Sequence, residues 1–227
     1  MTWRSHEAMI KEMQRLRLRF SRGDEVKYIS HLDLMRLWDR ALRRAGISLA
    51  YSEGFAPHPR ISLGAPLPIG VTSEAELMDI TLRTTVSPHH LIRTVGQQLP
   101  QGIDILEVGQ IPVVSPSLQS QLRYAEYRVL VDTNKSQEEL QAAIDSLLKA
   151  QSLPWQHMRD TGPRRYDLRP LIKHIWLVSQ RGPTATLGMR LRCDPQGTGR
   201  PEQVSAALGL TEPPSSIRRT KLILAGE

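Results

Sequence analysis

The sequence predicts an α+β protein of two tandem ferredoxin-like (βαββαβ) subdomains, each an antiparallel sheet with both helices on one face. Two observations carry this prediction. Alternating apolar runs and stripes of helical spacing follow one another as strand, helix, strand, strand, helix, strand, and the same order returns in the second half. Between the halves lies a segment rich in Pro, Ser and Gln, GQIPVVSPSLQSQLR at 109–123. The chain has 227 residues, 40% hydrophobic and 23% charged, a balance that folds rather than stays disordered. The expected division is an N-terminal extension at 1–15, a first domain at 16–110, a linker at 111–123 and a second domain at 124–227.

The first domain opens with Leu16-Arg17-Leu18-Arg19-Phe20, where apolar and basic residues alternate as in a strand with one wet face. Arg22-Gly23-Asp24 reads as a turn. Ser30 and Asp33 form an S-x-x-D pattern that caps a helix. Leu34, Leu37, Trp38, Ala41, Leu42 and Ala45 then make one apolar stripe, and Gly46 supplies the residue that stops it. Residues 51–70, YSEGFAPHPRISLGAPLPIG, hold Pro57, Pro59, Pro66 and Pro68 with Gly54, Gly64 and Gly70, a density that makes a rigid, shaped loop. Ile61-Ser62-Leu63 and Met78-Asp79-Ile80-Thr81-Leu82 are the arms of a hairpin over 61–83. Ser87 as N-cap and Pro88 at the first position open a helix through Leu91, Ile92, Val95 and Leu99, ended by Pro100 and Gly102. Residues 103–108 form the last strand.

In the second domain residues 127–131 alternate as a strand, and a helix runs from Ser136 to Lys149 with Leu140, Ala143, Ile144, Leu147 and Leu148 on one stripe. Ser136 and Glu139 make another capping box. Residues 175–178 and 185–192 pair around Gly182-Pro183, a short helix spans 201–208, and 217–224 closes with a strand.

Charge is unevenly spread. The net charge is +7. Residues 1–50 hold 11 Lys and Arg against 6 Asp and Glu, residues 51–160 hold 8 against 12, and residues 161–227 hold 11 against 5. Arginine dominates the basic ends, which suits planar, bidentate contact with phosphate, and RNA is the expected polyanion. Cys193 is the only cysteine, so an intramolecular disulfide, a C-x-x-C redox site, a thiolate zinc cage and an iron–sulfur cluster held by this chain alone are excluded. The expected setting is the reducing cytoplasm: the first twenty residues lack an apolar signal core, and no run approaches the ~20 apolar residues of a membrane span. No cofactor is implied.

Several residue groups carry candidate chemistry. Arg36, Arg40, Arg43 and Arg44 fall off the stripe of the first helix, as a solvated face with Asp39 pairing Arg43, or as an anion-binding ridge. Ser30 and His31 stand at that helix start, where exposed N–H groups suit a phosphate. His58, between Pro57 and Pro59, either fixes the loop or joins His31 as an acid–base pair if the loop folds over the helix start; Arg60 follows it. No His-x-x-x-His or Glu-x-x-His spacing lies near either histidine, so a metal site is not expected. Glu53, Glu74 and Glu76 can pair with the helix arginines. Arg164-Arg165-Tyr166-Asp167-Leu168-Arg169 mixes cations with an aromatic, as phosphate contact plus base stacking requires. Gln196-Gly197-Thr198-Gly199-Arg200 is a glycine-rich turn into a helix whose N–H groups can cradle an anion. It lacks a P-loop ending; no G-x-G-x-x-G or G-x-S-x-G occurs, which argues against a nucleoside triphosphatase, a dinucleotide enzyme and a serine hydrolase.

The run from Ile29 to Arg36 with its Ser30-His31-Leu32-Asp33 core, Arg40-Ala41 and Arg43-Arg44-Ala45-Gly46, then Ser52-Glu53-Gly54-Phe55-Ala56-Pro57-His58-Pro59, Pro66-Leu67-Pro68-Ile69-Gly70 and Ser73-Glu74-Ala75-Glu76, resembles the radical-SAM-linked protein family. That family usually has Asn where this chain has Ala56. Asp167-Leu168-Arg169-Pro170, Gly199-Arg200-Pro201 and Arg218-Arg219-Thr220 are similar to its C-terminal motifs, and the likeness spans about residues 16–224. The resemblance implies a partner, a radical SAM protein, since members stand beside or fused to B12-binding radical SAM proteins, and genes for ribosomal proteins and an E/G-type ribonuclease are frequent neighbours. It adds Arg218 and Arg219 to the anion-binding candidates, and Asp33, Gly70, Ser73, Glu76 and Asp167 as motif positions. The expected function is an accessory protein that binds or presents rRNA or tRNA. The alternatives are a metal-independent RNA-processing enzyme using His31 and His58, or a protein-interaction scaffold.

Overall fold

The computed structural model describes residues 13–159 and 162–227, and most of the expected N-terminal extension lies outside them. The chain divides into two compact units, with the break between Gln121 and Leu122. Each is a mixed α+β arrangement whose strands pair antiparallel.

In the first unit β1 (Gln14–Arg22) is the central strand. Its alternation buries Leu16, Leu18 and Phe20 on one face and turns Arg15, Arg17 and Arg19 to the other. α1 (His31–Arg44) follows, then β2 (Ile61–Leu63), β3 (Thr72–Leu82), α2 (Pro88–Gly96) and β4 (Ile105–Ile111). Pairing gives the strand order β4-β1-β3-β2. The Ser30 hydroxyl accepts from the Asp33 N–H at 3.1 Å, which caps α1, and Gly46 at φ +73° ends it. The stripe of α1 packs Leu34, Trp38 and Leu42 onto β1 with Leu91 and Val95 of α2, and the Phe20 and Trp38 rings meet edge to face at 4.9 Å.

The other face of β1 is neutralised. Asp79 of β3, 2% exposed, receives Arg15 Nη2 at 2.8 Å and Arg17 Nε at 2.7 Å. Residues 111–123, expected as a linker, are divided among β4, a short α3 (Leu118–Gln121) and the next strand. Arg15 Nη1 donates to the Ser115 carbonyl at 2.6 Å, Gln119 donates to the Leu63 carbonyl at 2.6 Å, and Leu118 is fully buried. The segment is held down by the charged face it crosses, a constraint that its Pro and Ser content does not reveal.

The second unit runs β5 (Leu122–Asp132), α4 (Gln137–Lys149), β6 (Pro154–Arg159), β7 (Gly162–Asp167), β8 (Ile172–Arg181), β9 (Thr184–Asp194), β10 (Gly197–Thr198), α5 (Pro201–Ala207) and β11 (Ser216–Leu224). β9 pairs with β5 on one side and with β8 and β10 on the other, and β5 pairs with β11. The Ser136–Glu139 capping box forms as expected, with bonds of 3.2 and 2.7 Å. The β6–β7 hairpin was not expected from the sequence. Its polar strands lack an apolar alternation, so cross-strand register rather than core burial sets them: Trp155 faces Tyr166 and His157 faces Arg164.

Candidate nucleic-acid interface

Strand alternation decides what the second unit shows to solvent. Ala125, Tyr127, Val129 and Val131 of β5 and Ala185, Leu187, Met189 and Leu191 of β9 are buried, as are Leu140, Ile144 and Leu147 of α4. The residues between them point the other way. Register sets them in rows across four strands. In one row Trp176 of β8 stands opposite Gly188, Gly188 opposite Arg128 of β5, and Arg128 opposite Arg218 of β11. In the next, His174 stands opposite Arg190, Arg190 opposite Glu126, and Glu126 opposite Lys221. Arg128, His174, Arg190, Arg218 and Lys221 are all exposed.

Cations outnumber acids on this face. Arg190 spends its charge on Glu126 at 2.6 Å and Arg192 on Asp194 at 2.6 Å. Burial works to raise the Asp194 carboxyl, but the Arg192 guanidinium and the N–H groups of Gln196 and Gly197 outweigh it and hold it below the usual carboxylate range. Arg128 and Lys221 have no ion pair among the described residues. Arg128 and Arg218 occupy opposite positions on paired strands. Beside them the His174 and Trp176 rings stack, with centroids 5.6 Å apart and planes 22° from parallel. Cations that reach phosphates next to an aromatic pair that accepts a planar ring are the two components of nucleic-acid contact on an open sheet.

The sequence-based candidates fall in several places. In the first unit His31 is exposed at the start of α1, and the Ser30 hydroxyl is committed to the cap and to Asp33. Arg36 pairs with Asp33 at 3.3 Å. Arg43 pairs with Asp39 at 2.9 Å and lies 5.8 Å from the Tyr51 ring; the Asp39 hydrogen bond raises its pKa further. Arg40 and Arg44 are exposed without an ion pair among the described residues. Residues 52–58 form a projecting loop closed by Ser52 N–H to His58 carbonyl at 2.8 Å and His58 N–H to Ser52 Oγ at 2.9 Å. Glu53, Gly54 at φ +119°, Phe55, Pro57 and His58 are exposed on it, while Pro59 bridges back to Tyr51.

The expected meeting of loop and helix start does not occur. The loop is rooted at the far end of β3, where Ala50 donates to the Thr81 carbonyl at 2.8 Å and Thr81 to the Arg60 carbonyl at 3.0 Å. The start of α1 is fixed at the opposite end, where Arg22 pairs with Ser73 and its guanidinium holds the Val26 and Ile29 carbonyls. Gly70, at φ +84°, donates to the Lys27 carbonyl there, and Ser73 and Glu76 are buried in β3. Fourteen helical residues, about 20 Å, separate the two ends. His31 and His58 therefore do not form an acid–base pair, and of the arginines on α1 only Arg43 is seen to touch the root of the loop, at Tyr51.

In the second unit Arg164 lies 5.7 Å from the Tyr166 ring and Arg165 bonds Gln156 at 3.1 Å. Asp167 accepts from the N–H groups of Leu153 and Arg169, which hold its carboxyl below the usual range. Arg169 is framework rather than surface: it donates to the carbonyls of Leu148 and Ile172 at 2.7 Å and of Ala150 at 3.1 Å. Arg219, 1% exposed, is likewise removed from any ligand, whereas its neighbour Arg218 joins the open face. Arg200 is exposed at the N-cap of α5. The sequence reading missed Arg128, His174, Trp176, Arg190 and Lys221. Each is a polar or aromatic position of a strand, and only the register gathers them.

Fold and face together define an α+β protein with an open, cationic sheet surface. The chain belongs to the family described as "Uncharacterized protein conserved in bacteria (DUF2344)", whose model matches residues 15–201. No curated protein matches it. Among solved structures it is similar to a Cbf5-Nop10-Gar1 complex, with 11% identity over 95% of this chain and 50% of that one and a TM-score of 0.49. It is also similar to an H/ACA RNP bound to a substrate RNA containing 2'-deoxyuridine, with 12% identity over 96% and 49% and a TM-score of 0.47. For DyPB from Rhodococcus jostii RHA1 the values are 13% over 94% and 91%, with a TM-score of 0.24. The chain spans about half the length of the first two. Among the described residues no helix is long and apolar enough to cross a membrane, and no group of His, Cys, Asp and Glu is arranged to hold a metal ion.

Proposed function

We propose that this protein is an RNA-binding accessory factor that presents rRNA or tRNA to a radical SAM enzyme during ribosome or tRNA maturation in the cytoplasm. On this reading both units are ferredoxin-like, and the second carries the RNA on the uncovered face of its sheet. The observation that supports it best is the register that sets exposed Arg128 and Lys221 in rows beside the stacked His174 and Trp176 rings. Exposed guanidinium and ammonium groups contact phosphate, and neighbouring rings accept a base. The radical SAM partner rests on the sequence resemblance, and its chemistry would belong to that partner.

The test is fluorescence anisotropy of labelled tRNA and rRNA fragments over a salt series. Phosphate contacts make log K fall linearly with log salt, and removing two of them with Arg128→Ala and Arg218→Ala should flatten the slope by about 1.5. No binding at ~50 mM salt removes the proposal, since phosphate contacts are strongest there. Co-purification of a radical SAM protein without RNA would favour the scaffold reading instead.

A further inference from the structure

We infer that the sheet face of the second unit takes unpaired RNA, with a base stacked on the Trp176–His174 platform and its backbone crossing the strands toward Arg128 and Arg218. This rests on the RNA-binding reading above and adds the form of RNA that is bound.

The row geometry supplies the track. Trp176, Gly188, Arg128 and Arg218 occupy successive strands in one register row, perpendicular to the strand direction. Neighbouring strands lie about 4.8 Å apart, so Arg128 stands roughly 10 Å and Arg218 roughly 14 Å from the strand that bears the indole. A short single-stranded stretch covers that span.

The platform supplies the selectivity. Gly188 has no side chain, and the space above it is taken by the indole: a Cβ there would lie 2.0 Å from Trp176 Cε2. The indole therefore rests on the strand backbone, and His174 stacks beside it, exposed. In a duplex the bases are stacked on one another and only phosphates and groove edges reach outward. Such a ligand engages Arg128 and Arg218 but leaves the rings unused. An unpaired base adds a stacking contact that every base can make, so the preference is for strandedness rather than sequence.

The experiment compares a fluorescein-labelled ten-nucleotide RNA of mixed sequence with the same strand annealed to its complement, at one low salt concentration, using the full chain. The single strand is expected to bind about tenfold more tightly than the duplex, the size of one or two lost stacks. His174→Ala and Trp176→Leu should each weaken the single strand more than the duplex and so narrow that gap, and Trp176→Phe should keep most of it. His174 is exposed, so its variant tests the platform even if Trp176→Leu fails to fold. Equal affinity for both ligands, or a gap that survives His174→Ala and Trp176→Leu, overturns the inference and leaves RNA binding standing. Binding of neither ligand overturns both.

Discussion

Trp176 occupies the space that a side chain at Gly188 would fill: a Cβ built on Gly188 falls 2.0, 2.3 and 2.4 Å from three indole atoms. The glycine is there for the ring rather than for the backbone, since its φ lies outside the left-handed range that favours glycine. Gly188→Ala should keep the sheet and expel the indole. Overpacking of this kind costs about 1–3 kcal/mol, read as a lower urea midpoint. The selectivity for single-stranded over duplex RNA should fall with it, as in Trp176→Leu, while Arg128 still supplies duplex affinity. A variant with unaltered stability and near-ultraviolet circular dichroism would show that the indole does not rest there.

Asp79 is the counterion that lets β1 carry arginines on a covered face. Arg15 and Arg17 both bond it, and its side chain is 3% exposed. Asp79→Asn leaves two partly buried guanidiniums without their charge partner. Breaking a buried pair from one side costs about 3–5 kcal/mol, because the remaining charge stays desolvated. Equilibrium urea unfolding checks this, and a loss below ~1 kcal/mol would mean that water reaches Arg15 and Arg17 freely.

Asp167 closes the base of the β6–β7 hairpin through the N–H groups of Leu153 and Arg169, and these hold its carboxyl below the usual value. A carboxyl with a depressed folded pKa contributes stability that is fully present above its unfolded value near ~3.9 and is lost as pH falls through the folded one. Asp167→Asn cannot titrate, so the stability gap between wild type and variant should shrink as pH drops through that acid window. A gap that stays constant from neutral to acid pH would show that the charge does not contribute.

The elements were legible where burial writes a pattern into the chain. Leu16, Leu18 and Phe20 alternate because one face of β1 is core, and Ser30, Gly46, Ser87 and Ser136 mark helix ends by backbone chemistry that is local in sequence. The site was not legible, because it has no local pattern. Arg128 lies between buried Tyr127 and Val129 and reads as an ordinary outward position. Trp176 falls in the short strand expected at 175–178, and nothing in either segment says that they share a row. The arginines that did stand out were partly misleading: Arg169 bonds the Leu148 and Ala150 carbonyls at the end of α4 and the Ile172 carbonyl at the start of β8, a role that clustering with Arg164 and Arg165 hides.

His31 and His58 give the sharpest test of the first unit. Their residue types and flanking sequence suit a shared phosphate, but α1 starts beside Arg22 and Ser73, whereas the loop bearing His58 is rooted on Ala50 and Thr81. With about 20 Å of helix between the two ends, one phosphate cannot touch both imidazoles. Groups that share no partner at such distance act independently, so a double-mutant cycle on RNA affinity with His31→Ala and His58→Ala should give an interaction energy within ~0.5 kcal/mol of zero. A pair acting on one reacting atom would instead show the second substitution costing little once the first is made. Coupling above ~1 kcal/mol would require the loop to leave its anchors at Thr81 and Tyr51, and loss of the Ser52–His58 hydrogen bonds would then be visible as faster amide exchange at Ser52 and His58.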